Sequence, residues 1–564
     1  MKTQAYALIL AVLVVVGIVG QVVPNKAVAQ EDEAKTFAIN RQPLSGALLE
    51  FAEQSGTEVL FDSRIAEGRT SPGVQGALSS REALRRLLAG TGVTFEYTGR
   101  NSVTLRRGAT NSDAPAALGP IVVQGERRSR ALRDTTSSVT VFSESDIERS
   151  DTDRVYGVLN QAPNVTPVPV PGEFLPPIRG VQSDGGGGGL GGNFLFGTQP
   201  RALLIVDDVA RPSTTSNNAF QTTFDVEQTE VLRGPQTTLR GANAIAGAYI
   251  VKTKDPRYTP EAEIQGGLNW NQVSQFGYQV AGMANAPLIE DQLAARFVVQ
   301  YEDGRIPVRV VDPTGFAPAG TDLKSLSDFD NLALRGKLLV EPEALPKFSA
   351  ILTGEYENGR DAIFDSFINS SNFTGKPTRD RNTIASNGNV VDTKAYNFAL
   401  NAAYDVTNDV EVRSITSYQK DEFKDSSDSI GSFIFENSDF RRFNQDLLLT
   451  FEGLADHADG VIGLTVEDES ERTVEQSFIL NSRGDRTTLG VFGDLEVALT
   501  DRLKVLAGAR VQYTKFKFDL DFFGGFGGVN FDDRETVFLP KAGLSFDIDD
   551  SQTVFLTATR GYNP

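Results

Sequence analysis

Side chains able to do covalent chemistry are scarce in this chain. His457 is the only histidine, and there is no cysteine. Thiolate nucleophiles, disulfides, cysteine metal sites and multi-histidine metal clusters are therefore excluded. Serine–histidine catalysis would rest on His457 alone, and His457 lies in LADHADG (454–460), which reads as a tight turn. No spacing of carboxylates, or of serine with lysine, suggests an enzyme by another route. The glycine run 185–189, with Gly191 and Gly192, has no lysine in phosphate-loop register and no helix start after it. It reads as a mobile loop, and no motif calls for a cofactor.

What remains is non-covalent recognition. The chain carries 54 basic and 74 acidic side chains, a formal net charge of −20. That balance argues against wrapping nucleic acid, which needs a basic face. The segment Ile121, Val122, Val123, Gln124, Gly125 is short and β-prone. It follows a small, proline-containing tether at 108–120 (GATNSDAPAALGP). A segment of this kind can add as an edge strand to a partner, and a buried strand is the alternative reading. Arg127 and Arg128, next in the chain, read as solvated charges.

The elements that position these residues follow in order. Residues 1–29 begin with Lys2, continue in an apolar run over 5–20 and end in the small-x-small site Ala27-Val28-Ala29. This is a secretory signal peptide; an N-terminal membrane anchor is the alternative. No later segment is apolar enough for a membrane-spanning helix. Residues 36–39 then read as a strand. Leu44, Ala47, Leu48, Phe51 and Ala52 form one face of a helix closed by Gly56. Residues 59–61 read as a second strand. Ser79 and Glu82 form a capping box that opens a helix with the face Ala83, Leu84, Leu87, Leu88. A hairpin over 93–97 and 102–105 completes a small α+β module.

The text of that module is more specific than its pattern. INRQPLSGALLEFAEQSGTEVLF, GALSSREALRRLLAGTG and SVTLRR closely resemble the secretin/TonB short N-terminal domain over 30–107. After the linker 108–120, the segment 121–125 resembles a TonB box. Residues 126–257 resemble the plug of TonB-dependent outer-membrane receptors. The matching pieces are Pro163-Asn164-Val165, Ile178-Arg179-Gly180, RALLIVDDV (201–209) and the block VEQTEVLRGPQTTLRGANAIAGAYIVKT (226–253). Thr238 stands where that family usually has glycine. A plug inside a polar lumen must pair its buried charges, since an unpaired one is costly. Arg179, Glu230, Arg233 and Arg240 are candidates for pairing with barrel charges; surface salt bridges are the alternative.

From 258 to 564 the chain alternates with period two. Tyr396, Phe398, Leu400, Ala402 and Tyr404 oppose Asn397, Asn401 and Asp405. Val505, Ala507, Ala509, Val511 and Tyr513 oppose Lys504, Gly508, Arg510 and Gln512. An apolar face with aromatic ends and an opposite polar face suits lipid outside and a wet lumen inside; a soluble sandwich alternates in the same way. Trp270 reads as a girdle aromatic. Connections near 288–290, 341–346, 405–408, 454–458, 500–502 and 547–551 are short. Those near 304–329, 360–392, 421–441, 472–486 and 520–534 read as long loops, which are solvated or bind ligand. About 13 strands are legible, against roughly 22 in barrels of this family, so an incomplete barrel is expected.

The expected fold is mainly β: a small α+β signalling domain, an α/β plug and the N-terminal part of an antiparallel transmembrane barrel. The resemblance implies a non-enzymatic receptor in the outer membrane of a Gram-negative bacterium, its N-terminal domain in the periplasm. It also implies uptake of a small-molecule ligand, an iron chelate of siderophore type, energised by TonB. Outer-membrane lipid surrounds the barrel, and an anti-sigma regulator in the inner membrane receives the signal. The alternative is a non-transporting product that acts only as a signalling or interaction module.

Overall fold

The computed structural model describes residues 35–562, apart from 61–68, 89–90, 98–101, 108–121, 168–174, 184–200, 213–221, 271–275, 306–308, 312–327, 365–382, 386–387, 430–431, 455–456, 476–479, 523–526, 550–551 and scattered single positions. The signal peptide, the tether at 108–120, Ile121, Ser79 and the glycine run lie outside the described residues.

The N-terminal module stands by itself as a compact unit. Its elements are β1 (Lys35–Ile39), β2 (Gln42–Pro43), α1 (Leu44–Ser55), β3 (Glu58–Leu60), β4 (Thr70–Ser71), β5 (Val74–Leu78), α2 (Ser80–Leu87), β6 (Val93–Tyr97) and β7 (Ser102–Arg107). β1 pairs antiparallel with β5, and β7 lies between β3 and β6. The predicted helical faces are the buried ones. Leu44, Ala47, Leu48 and Phe51 of α1 meet Ala83, Leu84 and Leu87 of α2 in one core, where Phe37 stacks on Phe51. Gly56 ends α1 in the left-handed conformation at φ 68°, its N–H bonded to the Ala52 carbonyl. Strand β5 was not among the predicted elements; it carries Gly76 and only short apolar side chains, a weak strand signal.

The second unit begins with β8 (Val122–Val123) paired to β9 (Arg130–Ala131). It continues through β10 (Ser138–Ser143), α3 (Glu144–Arg149), α4 (Val155–Leu159), β11 (Ala202–Val206), β12 (Val209–Ala210), β13 (Val226–Arg233), α5 (Thr237–Arg240) and β14 (Gly247–Thr253). The five-stranded sheet runs β10-β13-β14-β11-β12. Alternation splits its side chains between two apolar layers. Leu204, Val206, Val231, Tyr249 and Val251 pack with α3 and α4. Leu203, Ile205, Leu232, Ala248 and Ile250 form the other layer. Asp207 and Asp208 close a two-residue hairpin between β11 and β12, both at positive φ. Such a turn demands that conformation, and aspartate tolerates it better than most residues. Thr238 falls in the single turn of α5 and is buried.

Thirteen antiparallel strands then curve around this sheet in chain order: β15 (Glu261–Trp270), β16 (Phe276–Ile289), β17 (Leu293–Arg305), β19 (Asp328–Val340), β20 (Phe348–Phe364), β22 (Gly388–Asp405), β23 (Val410–Ser429), β24 (Ser432–Leu454), β25 (Ala458–Glu475), β26 (Leu480–Ala498), β27 (Leu503–Phe522), β28 (Gly527–Asp549) and β29 (Gln552–Thr559). Two short strands, β18 (Arg309–Val311) and β21 (Thr383–Ala385), pair in parallel apart from that sheet. Burial along the long strands is inverted relative to a soluble protein. On β26, Leu489, Val491, Leu495 and Val497 are exposed, while Arg486, Thr488, Asp494 and Glu496 are buried. The predicted faces follow the same rule: Phe398, Leu400, Val511 and Tyr513 point outward, and Asn397, Arg510 and Gln512 are buried. Apolar side chains outside and polar ones inside require lipid around the strands, which removes the sandwich alternative. No helix among the described residues is long and apolar enough to cross a membrane.

The short turns fall where expected. Three of the expected long loops do not: 421–441, 472–486 and 520–534 are the continuing arms of β-hairpins. The polar stretch DEFKDSSD (421–428) belongs to β23. Polar composition suggested loop because apolar alternation ceases there. A hairpin ladder satisfies its backbone by pairing, so it continues past the apolar band.

Candidate functional site: residues 122–125 and the buried charges beside them

Residues 122–125 are held against the inner sheet. Val122 and Val123 pair with Ala131 and Arg130, and Val123 is fully buried. Glu230, on β13, clasps the next two residues. Its Oε1 accepts the N–H of Gln124 at 2.8 Å and its Oε2 that of Gly125 at 3.0 Å. Gln228 donates to both the Val122 carbonyl and Glu230 Oε1, each at 2.8 Å. Burial pushes the Glu230 carboxyl above its ordinary range, and the donated N–H groups pull it only partly back. Gly125 lets the segment lie close: a Cβ there would stand 2.5 Å from Leu232 Cδ1 and 2.9 Å from Glu230 Oε2, so those side chains would have to shift. Arg240 donates to the Gly125 carbonyl at 2.9 Å.

The charges after the box are buried, contrary to the solvated reading of Arg127 and Arg128. Arg127, at φ 64°, pairs with Asp446 of β24 at 2.6 Å. Arg128 and Arg130 converge on Glu496 of β26, which Lys504 also approaches at 3.2 Å. Glu126 accepts from Ser137 at 2.6 Å and Arg130 at 3.3 Å. The reason is the surroundings: the neighbouring wall is the polar inner face of the outer sheet, which sequence proximity does not reveal.

More ion pairs cross from the inner sheet to the outer one. Asp225 accepts from Arg296 at 3.0 Å and Arg335 at 3.0 Å, with all three side chains at most 7% exposed. Asp207 takes Lys337 at 2.9 Å, Arg154 takes Glu302 at 3.0 Å, and Arg211 pairs with Glu355. The four charges singled out from sequence sit differently. Glu230 holds the box. Arg233 bonds within the inner sheet, to Ser138 Oγ at 3.1 Å, Thr140 Oγ1 at 2.6 Å and the Pro163 carbonyl at 3.1 Å. Arg179 is exposed, and its backbone N–H donates to the Asn164 carbonyl at 2.7 Å. Arg240 reaches the box rather than an outer-sheet carboxylate. The crossing pairs therefore run mainly through residues that sequence reasoning missed. Asp225 and the GERRSR cluster (125–130) were visible as charge, but their partners lie far along the chain, Arg127 and Asp446 being 319 positions apart.

His457 is exposed in the turn between β24 and β25, and its carbonyl accepts the Ala498 N–H at 2.8 Å. No group of three or more histidine or acidic side chains that could hold a metal occurs among the described residues.

Three family models match in succession: the secretin and TonB N terminus short domain over 58–108, the TonB-dependent receptor plug domain over 131–248, and the TonB dependent receptor-like β-barrel over 345–564. The chain belongs to the TonB-dependent receptors. It is 24% identical to the pesticin receptor of Yersinia pestis, over 80% of this chain and 67% of that one. The ferric yersiniabactin uptake receptor from Yersinia pestis shares its fold with a TM-score of 0.64 at 20% identity, covering 76% of this chain and 65% of that one. The ferripyoverdine receptor of Pseudomonas aeruginosa gives a TM-score of 0.61 at 16% identity, over 94% and 71%. This receptor thus spans about two thirds of the length of the first of these relatives. As a TonB-dependent receptor it is an outer-membrane β-barrel protein with a periplasmic N-terminal domain, and its family is one of receptors, not enzymes. The inner sheet is the plug and the outer sheet the barrel wall.

Proposed function

We propose that this receptor takes up a scarce small-molecule ligand, an iron chelate of siderophore type, in a step energised through TonB. In the same reading, the N-terminal domain passes occupancy to an inner-membrane anti-sigma regulator. The uptake reading is supported by relatives named for ferric yersiniabactin and ferripyoverdine. The signalling reading is supported by the match to the short N-terminal domain.

The observation that carries the mechanism is the Glu230 clasp on Gln124 and Gly125. Residues 121–125 are β-prone and 122–125 are held by a few bonds, so a partner strand that pairs with them competes with those bonds. The box runs directly into Arg127, Arg128 and Arg130. A pull on it therefore loads the clasp first and then the ion pairs to Asp446 and Glu496. The plug meets the wall through ion pairs and through apolar contacts at Leu239 and Phe224; water can replace the polar contacts as they break.

Val122→Pro tests this reading, because proline removes the strand donor at the centre of the box. Energised uptake in cells is lost and ligand binding to the receptor is retained. Unchanged uptake removes 121–125 from the role of TonB partner.

A further inference from the structure

Between plug and wall lies a cavity of about 60 Å³. Its cations outnumber the carboxylates able to pair with them. Arg127 pairs with Asp446, Arg442 with Glu467, and Arg486 with Glu469. Asp208 faces Arg413 at 3.5 Å. Arg240 and Arg510 line the same cavity, and neither makes an ion pair among the described residues. Arg510 is 2% exposed; its Nε donates to Gln512 Oε1 at 2.9 Å, and its Nη1 has no partner. Arg240 Nε is likewise buried without a partner.

The sequence makes room for this arrangement. A Cβ at Gly490 would stand 2.2 Å from Arg510 Nη2, and one at Gly241 3.0 Å from it. Gly241 directly follows Arg240, and Arg240 and Arg510 line the same cavity. Arg510 also lies over the Phe492 ring at 5.3 Å, with Arg127 at 5.6 Å from the same ring. An aromatic ring attracts a cation but supplies no countercharge. Burial and Arg127 push Arg240 down to about 9, against the opposing pull of Asp208, Asp446 and Glu230.

We infer that this cavity binds a small inorganic oxyanion of the phosphate or sulfate class, held between the guanidinium groups of Arg240 and Arg510. A buried cation without a countercharge is costly, and an anion supplies what the side chains do not. Guanidinium forks match oxyanions in shape and charge. A cavity needs roughly 10–15 Å³ per water, so this one holds about four waters or one such anion in their place. Arg240 also donates to the Gly125 carbonyl, so the site abuts residues 121–125. The charge argument does not depend on what those residues bind.

The test uses the full chain in detergent micelles. Inorganic phosphate is titrated at constant ionic strength against gluconate, which is too large for the cavity. The thermal midpoint rises saturably with phosphate, and the response disappears in Arg510→Gln. An equal rise in Arg510→Gln, or no saturation, overturns the inference. Should that variant fail to fold, anomalous diffraction from selenate-soaked crystals of the unsubstituted chain decides. A selenium peak between Arg240 and Arg510 sustains the site, and its absence at saturating selenate overturns it.

Discussion

Glu230 Oε2 accepts the Gly125 N–H at 3.0 Å across 105 positions of sequence. One carboxylate thereby ties residues 124 and 125 to the plug sheet. Its other oxygen holds Gln124 in the same way. Gln228, Arg240 and the pairing of β8 with β9 add further bonds to residues 122–125.

Glu230→Gln replaces one acceptor oxygen with an NH2 group that faces a backbone donor. A buried donor left without its acceptor costs about 1–3 kcal/mol. Amide exchange at Gln124 and Gly125 accelerates roughly tenfold or more, with the barrel strands unaffected. Unaltered exchange at both amides would show that β8–β9 pairing alone retains the box.

Asp225 joins the plug to two wall cations, Arg296 and Arg335, in a nearly dry site. Asp225→Ala leaves both guanidinium groups unpaired there. Breaking a buried pair from one side costs about 3–5 kcal/mol. Across a urea series, amide protection in β13 and β14 is lost at lower urea than in the unsubstituted chain. Coincident curves for the two proteins would sink this assignment.

Asp207 gives a pH signature. Burial alone would raise its carboxyl, but Lys337, Lys252 and the two bonds from Thr253 outweigh it and hold the group well below the ordinary range. A carboxylate depressed in the folded state contributes stability that is complete above its unfolded pKa of about 4. The contribution is lost as pH falls from there toward the folded value. Asp207→Asn suits the positive φ of 48° and removes this dependence. The variant is less stable at pH 7 and its midpoint declines less between pH 4 and pH 2. A parallel acid decline in both proteins would refute the linkage.

Deleting 36–107 removes induction of the regulated genes and spares transport. The domain has its own core and forms its own compact unit. Transport lost from a well-folded deletion would contradict a purely regulatory role.

Local pattern made much of this protein legible. The helical faces of the N-terminal domain, the period-two strands and the short turns depend on side-chain spacing within a few residues, and each appears at the predicted place. So does the polar–apolar inversion of the wall, because lipid and lumen act on every strand alike. The charge pairs were not legible. Arg127 finds Asp446, Asp225 finds Arg296 and Arg335, and Glu230 turns inward to the box. Composition marks a residue as charged, but Coulomb attraction and hydrogen bonding act over a few ångströms of space. Only the enclosure of plug by wall decides which charges come that close. The same enclosure turned Arg127 and Arg128 from apparently solvated residues into buried ones, and left Arg240 and Arg510 lining one cavity, neither with an ion-pair partner of its own among the described residues.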